Sequence, residues 1–421
     1  MPTPARSSNP FRVLTRHRNF RIFWVGQTLS QVGSWMQTMA VGWLSLQLSD
    51  SAFVVGLVAS VGAVPIVLFS MHAGAFVDHG DRLRLVRVTQ SILLAQAAML
   101  WLVTITGHVS VPILLALAFV QGLCSAVEIP ARQSMIIQLV GREDLQPAIA
   151  LNSSGFNLAR VVGPAIGGLV IARFGIAWCF GLNALSFVAV LWGLMRIRLA
   201  EPPVEKTVRL TVTGVHDLVA RSSAGAAEGL RHLARPGPVR DLLALVTVGA
   251  LLGGPFLTLM PVIARDRLGL GAGGYGSLLA TVGVGGLLGA LLVAGPLSHA
   301  ANKGRILMTA GVAFPTLLLG FAYTTTLVMA YVLLFATGAA MITFNALSNG
   351  VLQLLVEEKY RGRLMAFYSL VFVGLSQAVG SFALGALASV VSAPHAIAGS
   401  AVVLITASLS AVRYSDFWRR V

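Results

Sequence analysis

The feature that most constrains this chain is a succession of long apolar runs, each about as long as a helix must be to cross a bilayer. A transmembrane helix needs about 20 predominantly apolar residues, and twelve stretches qualify. In the first half they lie near Ile22–Leu46, Phe53–Phe76, Val86–Thr106, Val111–Val127, Ala148–Ile171 and Trp178–Met195. In the second they lie near Leu242–Ile263, Ser277–Ser298, Ile306–Tyr323, Leu327–Leu354, Leu364–Val391 and Ala396–Val412. Hydrocarbon offers the backbone no hydrogen bonds, so a spanning segment must be a helix or part of a closed barrel. The polar–apolar alternation of a barrel strand is absent. Only 11% of the 421 residues are charged, less than half the share of about 25% in soluble domains. The expected class is an all-α, multi-pass protein of the cytoplasmic (inner) cell membrane, with the lipid bilayer as its solvent.

The net charge is +15. A nucleic-acid binder gathers such charge on a soluble face, whereas here the Lys and Arg lie in small groups between apolar runs, so no nucleic-acid partner is expected. Their placement reads as topology instead. The N-terminus, the even-numbered loops and the C-terminus hold nearly all of them. The exceptions are Arg173, Arg265 and Arg267 in odd loops and Arg160 within a span. By the positive-inside rule both termini are cytoplasmic. The first apolar segment is too long for a signal peptide and is taken as a span. Cys124 and Cys179 sit inside apolar runs and suggest no disulfide. Between the sixth and seventh spans the chain turns polar, with Glu201-Pro202-Pro203 and Ser222-Ser223-Ala224-Gly225. The domains expected are a six-helix bundle over 1–195, a cytoplasmic linker over 196–240 and a second six-helix bundle over 241–421. Within the linker, Val215–Leu233 has the pattern of a short amphipathic surface helix.

The halves repeat each other. Gly74-x-x-x-Asp78-His79-x-Asp81-Arg82-x-Arg84 follows the second span, and Gly295-x-x-x-His299-Ala300-x-Asn302-Lys303-Gly304-Arg305 follows the eighth. At a similar offset Val140, Ala150, Ser153 and Phe156 match Val356, Ala366, Ser369 and Phe372. Parallel repeats of this kind set a substrate site between the halves, near the bilayer midplane.

These residues resemble the major facilitator superfamily over nearly the whole chain. Gly74 to Arg84 is similar to its loop motif G-x-x-x-D-R-x-G-R-R, with His79 and Leu83 as departures. Ala159-x-x-x-Gly163-Pro164-x-x-Gly167-Gly168 resembles the fifth-helix motif of its exporters and antiporters. Pro130-Ala131-Arg132-Gln133, Gly141-Arg142-Glu143-Asp144-Leu145 and Ala150-Leu151-Asn152-Ser153 resemble the enterobactin-exporter-like branch. The resemblance implies a twelve-helix monomer that works by alternating access, with helices one, four, seven and ten around the cavity.

Against that background Asp78, Arg82 and Arg84 are expected to form a conformational latch, a carboxylate at the cytoplasmic mouth meeting cations or helix N-termini of the other half. Gly163, Pro164, Gly167 and Gly168 would let a neighbouring helix approach closely and so seal the cavity. Glu128 and Arg160 are ionisable groups within reach of hydrocarbon. Such a group costs roughly 2.5–3.5 kcal/mol at a helix centre and normally has a partner. The pairing expected is Glu128 or Asp78 with Arg160 or Arg132, either as a static brace or as the carrier that couples protons to transport. The family's fourth-helix Arg before the Gln-Gly pair is here Ala118, ahead of Gln121-Gly122, which weakens the proton reading. For the cavity, Gln31 and Trp35 from the polar stripe Gln27, Gln31, Ser34, Trp35, Thr38, together with Gln121 and Asn345, are the expected lining.

An aromatic, amide-rich and weakly charged cavity suits a small amphiphilic organic molecule: a drug, a siderophore or a metabolite. Export by proton antiport is the expected activity, with import or facilitated passage in the same fold as the alternative. A channel would show a filter loop or a ring of like charge, and none is evident. A membrane enzyme would need converging ligands such as His-Glu-x-x-His, and an ATP-driven pump a phosphate-cradling Gly-rich loop. Neither occurs, so no catalytic residue, metal or cofactor is expected.

Overall fold

The computed structural model describes residues 11–197, 235–298, 300, 302–415 and 418. The surface helix expected at Val215–Leu233 lies outside the described residues, as does the side chain of Asp78. After the short α1 (Arg12–Arg16) come α2 (Arg18–Ser49), α3 (Ala52–His79), α4 (Arg82–Ile105), α5 (Val111–Val140), α6 (Leu145–Phe174) and α7 (Ala177–Arg196). The second half holds α8 (Pro238–Arg267), α9 (Ala272–Ala294), α10 (Lys303–Tyr323), α11 (Leu327–Leu355), α12 (Glu358–Val391) and α13 (Ala393–Tyr414). Among the described residues eleven of these are long and apolar enough to cross a membrane. The remaining long helix, α2, has 32 residues but is more polar, and its Gln27, Gln31 and Gln37 are buried within the protein.

The repeat read from sequence is visible in the packing. In the first half α3 packs on α5, α4 on α5 and α7, and α2 on α6 and α7. The second half does the same with each partner six helices later: α9 on α11, α10 on α11 and α13, α8 on α12 and α13.

The halves meet along two further crossings, α6 on α9 and α3 on α12. Small residues make both possible. A methyl group on Gly276 of α9 would sit 2.5 Å from the Pro164 carbonyl oxygen and 3.0 Å from the Gly168 Cα on α6. On the other crossing, a methyl on Gly56 would sit 2.9 Å from the Gly385 Cα, and Phe53 meets Phe382 edge-on at 5.6 Å.

The two ends of the molecule differ. At one, a single apolar cluster draws Met39, Trp43, Leu46 and Val55 together with Phe256, Tyr275, Phe321 and Leu384 of the other half. There Trp43 stacks on Tyr275 at 5.8 Å, and Asp50 pairs with Arg265. At the other end each half keeps a cluster of its own, around Phe20, Met135 and Leu194 in the first and around Leu242, Phe344 and Leu364 in the second. We refer to these as the sealed end and the open end.

Three spans depart from the plain helices expected. α8 widens to π-helical turns at Gly249–Gly253 and Ile263–Arg267 and tightens to a 3-10 turn at Gly254–Leu257. Pro255 and Pro261 cannot donate to the helical ladder, and Gly253-Gly254 ahead of them removes the steric brake. α12 is π-helical over Leu370–Ser381, where Ser376 Oγ donates to the Ala250 carbonyl at 2.6 Å. α5 continues through Pro130 to Val140 rather than ending at Val127. Glu128, expected near the end of its span, therefore lies about 18 Å from the helix end at 1.5 Å per residue.

Candidate functional site

α6 presents three distinct faces. Gly155, Gly163 and Gly167 face α2: methyl groups there would meet Thr28 Oγ1 at 2.6 Å, Trp35 Cβ at 2.6 Å and Met36 Cγ at 3.1 Å. Pro164 and Gly168, with Val161, face α9 of the other half at Gly276, Gly273 and Gly283. The glycine-proline motif therefore has two separate jobs, one packing α2 within its own half and one closing the halves together. Residues advance by about 100° along a helix. On that wheel Arg160 falls about 60° from Gly163, between the α2 row and the α9 row. Its guanidinium lies toward Trp35 of α2. Ser153, Phe156 and Asn157 share that strip toward the open end, and Phe156 keeps 41% of its surface exposed.

Trp35 and Phe156 meet edge-on, with ring centroids 5.9 Å apart, and the Arg160 guanidinium lies 6.0 Å from the Trp35 centroid. Gln31, one turn from Trp35 along α2, is buried, and its Oε1 accepts no hydrogen bond from the described residues. In the repeat, Phe372 corresponds to Phe156 and stacks on Tyr368 at 4.4 Å. The Tyr368 hydroxyl donates to the Asn345 carbonyl at 3.0 Å, holding α12 against α11.

Glu128 is buried on α5. It accepts from Gln90 Nε2 at 2.8 Å, and Arg132 Nη1 stands 3.7 Å away, one turn along the same helix. Of the pairings considered from sequence, this is the one the described residues bring together. Arg160 has no carboxylate within 4.0 Å among the described residues.

Gln121 belongs to a buried amide cluster within the first half. Gln37 Nε2 donates to Gln96 Oε1 at 3.1 Å and to Gln121 Oε1 at 3.2 Å, while Asn183 Nδ2 donates to Gln37 Oε1 at 2.9 Å. Four helices are tied by these amides. Gln37, Gln90, Gln96 and Asn183 carried no motif; the signal available in sequence was four uncharged amides inside apolar runs.

At the start of α4, Arg82 and Arg84 occupy the first turn, and Asp81 caps it by accepting from the Arg84 backbone N–H at 3.1 Å. An Asp at that position is a standard helix-start signal that the latch reading passed over. At the open end Asp144, ahead of α6, meets His17 Nε2 at 2.8 Å and Arg16 Nη1 at 3.0 Å. The hydrogen bond to His17, with Arg16 beside it, holds the Asp144 carboxyl below its ordinary range.

Two repeated helix bundles, sharing one apolar cluster at one end and keeping separate clusters at the other, have the architecture of the major facilitator class of membrane transporters. Residues 8–415 match the family of transmembrane secretion effectors, and the chain belongs to that family. Among characterised relatives it is 28% identical to the multidrug efflux pump Tap of Mycolicibacterium fortuitum, over 79% of this chain and 80% of the relative. It is 25% identical to the enterobactin exporter EntS of Escherichia coli, over 70% and 68%. The staphyloferrin A transporter of Staphylococcus aureus is also 25% identical, over 65% of this chain and 66% of its own length, just under two thirds. Two solved folds superpose on nearly the whole chain. One is the inward-facing bacterial homologue of the lysosomal transporter Spinster, with TM-score 0.68, 15% identity and coverage of 98% and 97%. The other is the nucleoside transporter NupG, with TM-score 0.67, 16% identity and coverage of 94% and 100%. The chain is a multi-pass transporter of the cell membrane.

Proposed function

We propose that this protein is a secondary active exporter that moves a small amphiphilic organic molecule out of the cytoplasm by alternating access, as a monomer and in exchange for protons. In this reading all twelve long helices span the bilayer, α2 included. The open end, the linker and both termini are cytoplasmic, where the basic residues gather. The observation that carries the proposal is the unequal closure of the two ends. Glycine crossings and the Asp50–Arg265 pair shut one end, while the apolar clusters at the other stay separate. A carrier must exchange those roles to release its cargo.

Asp78, Arg82 and Arg84 serve in this scheme as the latch that forms when the open end closes. Glu128, poised beside Arg132 and Gln90, is the candidate proton carrier. The efflux and siderophore-export activities named for the relatives support the outward direction. Energised inside-out vesicles with a pH-sensitive dye in the lumen test the scheme against siderophores, macrolides, dyes and cationic drugs. Alkalinisation of the lumen on adding one compound, absent without the protein, is the expected result. Uptake of every active compound in right-side-out vesicles alone would make the protein an importer.

A further inference from the structure

A guanidinium halfway along a membrane helix is costly unless something answers its charge. Arg160 is the sixteenth of the 30 residues of α6. The one carboxylate at comparable depth among the described residues, Glu128, is engaged by Gln90 and Arg132. Among the described residues no carboxylate lies within 4.0 Å of Arg160, and the contact the structure gives its guanidinium is the Trp35 ring at 6.0 Å. What surrounds it is a recognition surface. Trp35 presents a ring to the cation, Phe156 is 41% exposed beside that ring, and the buried Gln31, one turn from Trp35 along α2, holds an acceptor oxygen with no donor among the described residues. The strip Ser153, Asn157, Arg160 leads from the open end to this point, below the glycine crossings that seal the cleft.

We infer that Arg160 is the receptor for an acidic group on the transported molecule, so that the cargo is an organic anion with an aromatic or apolar body. The carboxylate or other oxyanion takes the guanidinium in a charge-assisted hydrogen bond. The body packs against Trp35 and Phe156, and a hydroxyl or N–H of the cargo donates to Gln31 Oε1. This inference rests on the transporter reading and sharpens its substrate class. It puts an anionic cargo in place of the weakly charged one expected from sequence, because no carboxylate among the described residues lies within 4.0 Å of the guanidinium.

The probes are naphthoate, its neutral isostere naphthamide and the cation naphthylmethylammonium, titrated calorimetrically into the purified full-length protein and its Arg160→Gln and Arg160→Lys variants. Thermal unfolding is followed in parallel. The acid is expected to bind the parent better than the amide or the ammonium. It should weaken about tenfold or more in Arg160→Gln and partly recover in Arg160→Lys, with the amide unchanged throughout. Equal affinity for acid and amide, preference for the ammonium, or no saturable binding of the acid would overturn the inference. Should Arg160→Gln fail to fold, the parent's own ranking of the three probes decides. Export is read separately in the inside-out vesicles. An acid that binds but is not moved leaves this site standing and defeats the export scheme. Cations moved by Arg160→Gln at the parent's rate leave export standing and defeat the site.

Discussion

Asp50 and Arg265 pair across the molecule, joining the residue that ends α2 to the last turn of α8 at the sealed end. Asp50 holds a left-handed backbone conformation, φ 49° and ψ 32°, which turns the chain back into α3. Asp50 is exposed and Arg265 partly so, which puts the pair near the surface-pair range of about 0.2–1 kcal/mol, or up to about a fivefold change in a two-state equilibrium. Asp50→Asn should shift the population toward opening at that end by this amount. Spin labels at Ser110 and Thr326, one in each half, would register it as a longer-distance population. An unchanged distance distribution would mean that the apolar cluster alone holds the seal.

Two glycines on crossing helices should fail in different ways. Gly276→Val would drive a side chain into the Pro164 carbonyl and Gly168, forcing α9 from α6 between the halves. Transport should collapse and the sealed-end labels should separate. Gly163→Ala would press on Trp35 within one half and cost stability by overpacking, about 1–3 kcal/mol, with the inter-half distance kept. Identical behaviour of the two variants would refute the division of α6 into separate faces.

Glu128 is buried and Arg132, partly buried, stands beside it. Removing one partner strands the other, at about 3–5 kcal/mol for a buried pair. Glu128→Gln should sit at the low end of that range, because a glutamine oxygen can still accept from Gln90. The double variant Glu128→Gln/Arg132→Gln should regain part of the loss, measured by thermal unfolding. If Glu128 carries the proton, Glu128→Gln also loses pH-dependent uphill transport. Parental pH dependence in that variant would reduce the pair to a brace.

At the open end Asp144 ties α1 to the α5–α6 turn through His17 and Arg16. Its folded pKa lies below the unfolded value, taken as about 3.9. The tie therefore stabilises the fold above that pH and fades as the pH falls through the lowered value. The difference in unfolding temperature between the parent and Asp144→Asn should be steady at neutral pH and vanish in strong acid. A difference that persists undiminished in strong acid would contradict this sign.

Much of the fold was legible because lipid imposes a rule that one sequence can reveal. Spanning helices must be long and apolar, so α3 to α7 and α8 to α13 stand out in the hydropathy alone. The motif strings carried the family for the same chain. α2 was found by length but has a weaker apolar signal, since its glutamines face protein. The irregular turns of α8 and α12 escaped notice. Proline and glycine mark where a helix can yield, while the packing of Ser376 on Ala250 and Gly380 on Leu251 decides how it does.

The sequence by itself determined the solvent, the helices, the repeat and the stock of polar residues within the spans, because each follows from local composition and spacing. Tertiary structure alone decided how those polar residues were shared out. It joined Glu128 to Gln90 and Arg132, drew Gln121 into the cluster around Gln37, and left Arg160 beside Trp35 with no carboxylate partner among the described residues. Partnership between side chains on different helices depends on the rotation and crossing of those helices. These are set by the sum of many small packing contacts along the chain.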